Sequence, residues 1–235
     1  MSDKPGSRKF DVDLKLLLSR LLEMGGLVES QIALAMAAMN TFDLPLVEQV
    51  LEGELRLNAM EIETDEEVCN IIARRQPAAR DLRLLMAVSR CITNLERAGD
   101  EARKIAKRTS RIATEANARS INISEIKVSG EMALNILRRA LDAFARMDTI
   151  EAAQIIRDDE AIDNEFRAFM RKLVTYMMED PRTISIGLDY LFIAKAIERI
   201  GDHATNIAES VVYVVSGADV RHVPRDRLER HASGT

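Results

Sequence analysis

The sequence predicts an all-α protein made of two tandem three-helix bundles, six long helices in all, related by internal duplication. Its 235 residues include no Trp, only 4% aromatic residues and five Pro, so residues that favour sheets are scarce. A helical segment also occurs twice, because Glu96-Arg97-Ala98-Gly99-Asp100 returns 102 residues later as Glu198-Arg199-Ile200-Gly201-Asp202. Helix-breaking residues fall in the same order in both halves, as a duplicated three-helix unit predicts. Six unrelated helices with a chance similarity are the alternative.

The first three helices are predicted from apolar periodicity and from the residues that interrupt it. The first pattern runs from about residue 10 to 40. Thr41-Phe42-Asp43-Leu44-Pro45 then offers an N-cap candidate and a proline in the first turn of the second helix, and Gln76-Pro77 closes that helix. The third helix, at about 78–112, carries the first copy of the repeated segment. We expect the first bundle to cover residues 1–117.

The second half repeats this order. The fourth helix is predicted to begin at a cap on Asn122 or Ser124 and to end near 147, and the fifth and sixth are predicted at about 149–178 and 182–215. Asp180-Pro181 separates the last two helices, and Gly217 ends the sixth. We expect the second bundle to cover residues 118–219 and a charged, flexible tail to follow at 220–235.

Composition and charge narrow the classes of function. The chain has 33 Lys and Arg against 38 Asp and Glu, and the net charge of -5 argues against nucleic-acid binding. Cys69 and Cys91 lack the spacing of a redox or zinc pair and are interpreted as reduced core thiols. Residues 1–10 contain no apolar signal region, and no run of about 18 apolar residues indicates a membrane span. We therefore expect a cytoplasmic protein that reaches membranes only through its partners.

The second copy of the repeated segment lies on an acidic face of the sixth helix. At about 100° per residue, four oxygen-bearing side chains share this face: Glu198, Asp202, Asn206 and Glu209. Gly201 lies between this face and the apolar stripe, where the missing side chain lets a neighbouring helix approach. Clustered carboxylate and amide oxygens without His or Cys suit hard cations such as Mg²⁺, Mn²⁺ or iron. The pattern predicts a metal site, and an ordinary solvated acidic face is the alternative.

The first copy puts Glu96 and Asp100 at the same spacing on the third helix, but basic residues share their stripe. Lys104, one turn after Asp100, is able to neutralise the carboxylate pair without a metal. We therefore expect the second half to be the better metal site. Glu61 and Asp163, on the second and fifth helices, each belong to an acidic pair one turn apart and are further candidate ligands facing the main stripes. Chance is the alternative for these two.

The sequence contains no recognisable catalytic motif. It lacks the Glu-x-x-His pair of di-iron bundles, a P-loop, a G-x-S-x-G nucleophile turn and a dinucleotide-binding fingerprint. Of the three histidines, His203 is predicted to point away from the acidic face and to be a surface residue, and His222 and His231 fall in the tail. We expect no enzymatic activity and no organic cofactor.

Four stretches around the repeated segments carry a more specific pattern. They are residues 22–29 (LEMGGLVE), residues 71–77 (IIARRQP, with DLR at 81–83), residues 177–184 (MMEDPRTI) and residues 197–209 (IERIGDHATNIAE). With the duplicated Glu-Arg-x-Gly-Asp segments, they cover nearly the whole chain. In this combination the chain closely resembles the PhoU family of bacterial phosphate-signalling regulators.

The resemblance implies two tandem three-helix bundles, a homodimer, and divalent-metal, iron or zinc clusters bound on the acidic helix faces. Carried over to this chain, the implied ligands are Glu96 and Asp100 in the first half and Glu198 and Asp202 in the second. One departure concerns Arg103, which stands three positions after Asp100 where some relatives have an acidic residue. This departure again favours the second half as the metal site.

The resemblance also implies a non-enzymatic role in signal transduction and negative regulation. Such a protein restrains the phosphate-starvation response by coupling the ATPase of the phosphate ABC transporter to a phosphate-sensing histidine kinase, and limits phosphate uptake. Two alternatives come from other classes of protein. One is a metal-cluster protein with a storage or oxidase-like role, and the other is a helical scaffold without metal.

Overall fold

The computed structural model describes residues 5–115 and 118–218, with no side-chain description for residues 5–8, and these ranges contain helices, turns and no strands. Six α-helices follow one another: α1 (Pro5–Thr41), α2 (Leu44–Arg75), α3 (Ala79–Ala113), α4 (Ser124–Arg146), α5 (Thr149–Glu179) and α6 (Ile184–Ser216). A short 3-10 turn, Pro181–Thr183, precedes α6. The predicted fold class is confirmed. The predicted tail at 220–235 lies outside the described residues.

Two three-helix bundles pack against each other through their last helices. α1, α2 and α3 contact one another in the first bundle, and α4 and α5 both pack on α6 in the second. The most extensive contact of all joins α3 to α6, and α1 also touches α4. The buried apolar side chains of both bundles therefore form one continuous core. This arrangement brings the two helices that carry the repeated segments side by side.

Short polar caps set the beginnings and ends of the helices. The Asp43 carboxylate accepts a 3.3 Å hydrogen bond from an amide in the first turn of α2, as the sequence predicts. Asp148 accepts two such bonds, of 3.1 and 3.0 Å, at the start of α5. Gly217 ends α6 with φ at 75°, a left-handed conformation that favours glycine.

One helix in the described part of the chain, Lys9–Thr41, is long and apolar enough to span a membrane when judged by length and composition alone. This helix contains no uninterrupted apolar run of that length, because charged residues such as Lys15, Arg20 and Glu23 lie between its apolar residues. Leu17, Leu21, Met24 and Val28 of this helix have no exposed surface and belong to the common core. Burial against α2, α3 and α4 accounts for the apolar residues on this side of the helix, whereas Val12, Leu16 and Leu22 are exposed.

The two cysteines differ in their environment. Cys91 is buried in the core, where burial raises the pKa of its thiol to about 12. Cys69 is exposed, so the interpretation as a core thiol is wrong for this residue. Cys69 lies on the outward side of α2, whereas its neighbours Val68 and Ile71 face the core.

Candidate metal-binding faces

Two glycines let neighbouring helices come close to the repeated acidic segments. A Cβ atom on Gly99 of α3 would lie 2.2 Å from Cδ2 of Leu57 on α2. At the equivalent position of α6, a Cβ atom on Gly201 would lie 2.5 Å from Oδ1 of Asp159 on α5. These distances are too short for any residue but glycine unless the neighbour moves, so the predicted role of Gly201 is confirmed. Leu57 and Asp159 are also 102 residues apart, which extends the duplication to α2 and α5.

The first acidic face consists of Glu61 of α2 with Glu96 and Asp100 of α3. Burial raises the pKa of Glu96, and the charges of Glu61 and Asp100 raise it further. Burial also raises the pKa of Glu61, together with the charge of Asp65, while a hydrogen bond from Thr93 lowers it. The fold therefore brings Glu61 to the first repeated segment, as expected for a residue that faces the main stripe.

Cations from the same helix neutralise part of this first face. Arg103 donates from Nε and Nη2 to Oδ1 of Asp100, at 3.2 and 2.7 Å. The same Nε lies 3.2 Å from Oε1 of Glu54, and Lys104 Nζ lies 3.7 Å from Oδ2 of Asp100. Asp100 is thus held in a network of ion pairs. A metal ion would have to displace or rearrange these pairs to use Asp100 as a ligand.

The second acidic face consists of Asp163 of α5 with Glu198 and Asp202 of α6. Although Asp202 keeps contact with solvent, partial burial and then the charge of Glu198 raise its pKa to about 6, and Asp163 adds to this effect. Lys195 donates to both carboxylate oxygens of Glu198 at 2.6 Å, and Arg167 Nη2 lies 3.5 Å from Oδ2 of Asp163. The basic side chains therefore pair with Glu198 and Asp163. Lys195 and Arg199 lower the pKa of Asp202 only in part.

The other two candidates on α6 do not join these carboxylates in the same way. Asn206 donates from Nδ2 to Oδ1 of Asn94 on α3, at 3.0 Å, so its amide is turned towards the neighbouring bundle. Glu209 is half-buried two turns beyond Asp202 and has interactions of its own. The compact part of the second face is therefore Asp163, Glu198 and Asp202.

His203 is buried, with only 6% of its surface exposed, so the expectation of a surface residue is wrong. Its Nδ1 lies 3.0 Å from Oδ1 of Asn94, in the contact between α3 and α6. Burial lowers the pKa of His203 to about 4, and the charges of Arg199, Arg97 and Lys104 contribute. The ring is neutral at neutral pH. A helical wheel cannot place it correctly, because its partner belongs to the other bundle.

A buried ion pair beside His203 also escapes analysis of the sequence. Glu101, with 3% of its surface exposed, lies 3.1 Å from Nε of Arg199 and 2.9 Å from Nζ of Lys104. Glu101 and His203 each follow the aspartate of their repeated segment, so they occupy equivalent positions. The sequence could have indicated their burial, because each lies one residue after the acidic pair and next to the apolar stripe of its helix. The Glu101–Arg199 pair links the two bundles.

The candidate ligand atoms are of the type that a hard cation prefers, but the side chains that carry them are not placed to surround one ion. All candidate ligands on both faces are oxygens, which Mg²⁺, Mn²⁺ and Ca²⁺ prefer. Within residues 5–115 and 118–218, however, no group of three or more His, Cys, Asp or Glu side chains is placed to hold one ion. A cation on either face would therefore take most of its ligands from water, as Mg²⁺ commonly does.

Comparison with known proteins agrees with the division of the chain into two equivalent halves. A family model of the PhoU domain matches the chain twice, at residues 21–109 and 126–211. The chain belongs to the PhoU family. Each match contains one repeated segment and the helix that carries its glycine partner.

Similar PhoU proteins cover almost the full chain. The phosphate-specific transport system accessory protein PhoU homolog of a Burkholderia species is 53% identical over 99% of both chains. The corresponding accessory protein PhoU of Escherichia coli K12 is 43% identical, over 97% of this chain and 94% of the relative.

Crystal structures of PhoU proteins have the same fold. PhoU from Pseudomonas aeruginosa is 44% identical and superimposes with a TM-score of 0.86, covering 89% of this chain and 100% of the other. The phosphate transport system regulatory protein PhoU from Streptococcus pneumoniae is 27% identical, with a TM-score of 0.82 over 89% and 98% of the two chains.

Proposed function

We propose that this protein is a non-enzymatic, cytoplasmic regulator of phosphate transport. In this role it represses the phosphate-starvation response by coupling the phosphate ABC transporter to a sensor histidine kinase, and limits phosphate uptake. The observation that supports the proposal is membership of the PhoU family along nearly the entire chain, with relatives named as accessory or regulatory proteins of phosphate transport. Those names describe accessory or regulatory proteins of a phosphate transport system.

The proposed mechanism is differential binding. When phosphate is plentiful, the protein, as a homodimer, docks on the transporter ATPase and on the kinase and holds the kinase in its phosphatase-biased state. An adaptor shifts such an equilibrium only if it binds one partner conformation more tightly than the other. The long exposed helix faces of the two bundles provide the surface for this binding.

A bound cation would tune this docking through the second acidic face. Glu198 and Asp202, with Asp163 beside them, are the groups that would hold it. The cation would relieve the repulsion from Glu198 and Asp163, which adds to burial in raising the pKa of Asp202 to about 6. The first face has less to gain, because Arg103 and Lys104 already neutralise Asp100. Cation binding is therefore proposed as a modulator of the second bundle.

The proposed function is tested by deleting the gene and measuring a phosphate-regulated reporter in phosphate-rich medium. We expect the reporter to be expressed constitutively, and a plasmid copy of the wild-type gene to restore repression. Normal repression in the deletion strain would contradict the regulatory role.

The partners are tested by co-purification of the full chain with the transporter ATPase and with the kinase, with and without phosphate. We expect both complexes, with phosphate changing the amount recovered. Failure to recover either partner under both conditions would contradict the coupling mechanism while leaving the repression result intact.

A further inference from the structure

The outward side of α2 exposes a stripe of residues that the fold does not use. Its members recur at intervals of four and three residues: Leu55, Ala59, Ile62, Glu66, Cys69 and Ala73. All six are exposed, and the two large apolar side chains, Leu55 and Ile62, expose 79% and 60% of their surface. This spacing is that of the a and d positions of a coiled coil, which face a partner helix. We call these six residues the α2 seam.

The α2 seam is not part of the core of its own bundle. The residues that α2 buries, among them Leu57, Val68 and Ile71, lie on the opposite side of the helix. Two exposed large apolar side chains on a charged helix are therefore unexplained by folding. Exposed apolar patches with a polar rim commonly mark a binding surface.

The second half of the duplication shows that the fold does not require this stripe. The close approach of Gly99 to Leu57 and of Gly201 to Asp159 places α2 and α5 in the same register, 102 residues apart. At the positions equivalent to the seam, α5 has Arg157, Ala161, Asn164, Ala168, Arg171 and Thr175. The two large apolar residues are thus replaced by Arg and Asn. The apolar seam is specific to the first bundle.

The charges around the α2 seam select the kind of partner. Glu66 lies within the seam, Glu52 and Glu63 lie along one edge, and Asp65 lies along the other. Arg56 shares the edge of Glu63 but is paired with Glu23 of α1, so the charge that remains for a partner is acidic. A second copy of this chain, laid parallel on the seam, would bring Glu66 against Glu66. Laid antiparallel, it would bring Glu63 near Glu63 and Asp65 near Asp65 of its partner. Like charges across a helix pair disfavour either dimer, whereas Lys and Arg along the edges of a partner helix favour association.

We propose that the α2 seam is the docking site for a basic amphipathic helix of another protein. The partner helix packs its apolar positions on Leu55 and Ile62 and sets its basic side chains against Glu52, Glu63 and Glu66. Such a helix would pack on the side of α2 opposite α1 and α3, and would form a four-helix bundle with these three helices. The inference rests on the proposed function only in that an adaptor needs such a partner.

The test uses the full chain and a fluorescent three-heptad peptide with Leu at positions a and d and Lys at e and g. The Lys rows keep this peptide from pairing with itself, so its helicity and anisotropy report binding to an acidic seam. We expect wild-type protein to bind the peptide and the Leu55→Glu plus Ile62→Glu variant to bind at least about tenfold more weakly. Circular dichroism and thermal unfolding check that the variant is folded, because both positions are exposed.

The equivalent positions of α5 supply the matched control, Arg157→Glu plus Asn164→Glu. We expect this variant to bind the peptide as the wild type does. A gain in binding would show attraction by charge alone and overturn the proposal, as would unchanged binding by the seam variant. If the seam variant instead loses a dimer in light scattering, the occupant is a second copy and the proposal is wrong.

Charge reversal gives a second, independent readout. Glu63→Lys plus Glu66→Lys should weaken binding of the Lys peptide and strengthen binding of the same peptide with Glu at e and g. Equal affinity for both peptides in this variant would contradict the role of the acidic edge. Because these measurements do not involve phosphate regulation, their failure is distinguishable from failure of the reporter experiment.

Discussion

The two acidic faces share a backbone arrangement and differ in the side chains around it. In both halves an interior glycine lets the preceding helix of its bundle approach, and two carboxylates one turn apart stand beside it. In the first half Leu57 packs closely against Gly99, and Arg103 forms an ion pair with Asp100. In the second half a Cβ atom on Gly201 would meet Asp159, and burial followed by the charge of Glu198 raises the pKa of Asp202 to about 6. The duplication has kept the helix packing, but cations pair with different carboxylates: with Asp100 in the first face, and with Glu198 and Asp163 in the second.

The largest effect is expected from exchanging the buried residue under the first glycine, Leu57→Asp. Leu57 is in the apolar core, so the variant buries a carboxylate without a matching partner. We expect the free energy of unfolding to fall by about 3–5 kcal/mol in urea titrations at pH 7. The control Leu57→Met should cost less than about 1.5 kcal/mol. A loss for Leu57→Asp no larger than that of the control would show that the two halves tolerate an acid equally.

The next largest effect concerns the glycine itself. Gly99→Ala would place a Cβ atom 2.2 Å from Leu57, so we expect a loss of about 1–3 kcal/mol in the free energy of unfolding. Gly26 on α1 is the control, because a Cβ atom there meets nothing within 4 Å. Gly26→Ala should stabilise by about 0.5–1 kcal/mol, since alanine restricts the unfolded chain. Equal effects at the two positions, measured by urea denaturation, would contradict a close helix approach at Gly99.

Much of the fold was predictable because helix boundaries are local. Asp43-Leu44-Pro45, Asp180-Pro181 and Gly217 mark boundaries through their own side chains and backbone preferences, and each helix end falls within a few residues of them. The meeting of Glu61 with the first segment and of Asp163 with the second was also foreseeable, since helices joined by short loops pack antiparallel.

The side chains between the bundles were not predictable in this way. His203 and Asn206 both reach Asn94, which lies more than 100 residues earlier, and no helical wheel contains that contact. The burial of Asp159 had a signal in the sequence, because the 102-residue repeat aligns it with the core residue Leu57. That signal needs the exact register of α2 against α5, which the weak similarity of these helices does not reveal.

The two motif aspartates should respond to neutralisation with opposite sign. Burial and carboxylate repulsion raise the pKa of Asp202 to about 6 from its ordinary 3.8, so its protonated form favours folding and this stability is lost as pH rises from about 4 to 6. Asp202→Asn should therefore stabilise the protein at pH 7, by at most about 1 kcal/mol after solvent screening, with no gain at pH 4. Asp100→Asn removes ion pairs with Arg103 and Lys104 and should destabilise by at most about 1 kcal/mol at pH 7.

Urea midpoints of the two variants at pH 4 and pH 7 provide the measurement. A control in high salt should shrink the Asp100→Asn effect, because screening weakens exposed ion pairs. If both variants destabilise the protein at pH 7, the second face is not under repulsion and its cation affinity loses its physical basis.

The smallest effect is the stabilisation by a cation, and it separates the two faces most sharply. A ligand present at its own dissociation constant stabilises the folded state by about 0.4 kcal/mol, so Mn²⁺ or Mg²⁺ should raise the unfolding temperature only slightly. We expect Glu198→Gln plus Asp202→Asn to abolish this shift and Glu96→Gln plus Asp100→Asn to leave most of it. The measurement is thermal unfolding of chelator-treated protein against a NaCl control of equal ionic strength.

The pH dependence of that shift identifies the ligand group. A cation competes with the proton that Asp202 binds below its pKa of about 6, so the shift should be smaller at pH 5 than at pH 7. A shift that is unchanged between these pH values would place the cation elsewhere.

If the two double variants lose the shift equally, both faces contribute, and the metal displaces the ion pairs of Arg103. Arg103→Glu would then be expected to add to the shift, because it exchanges the competing cation for another oxygen donor.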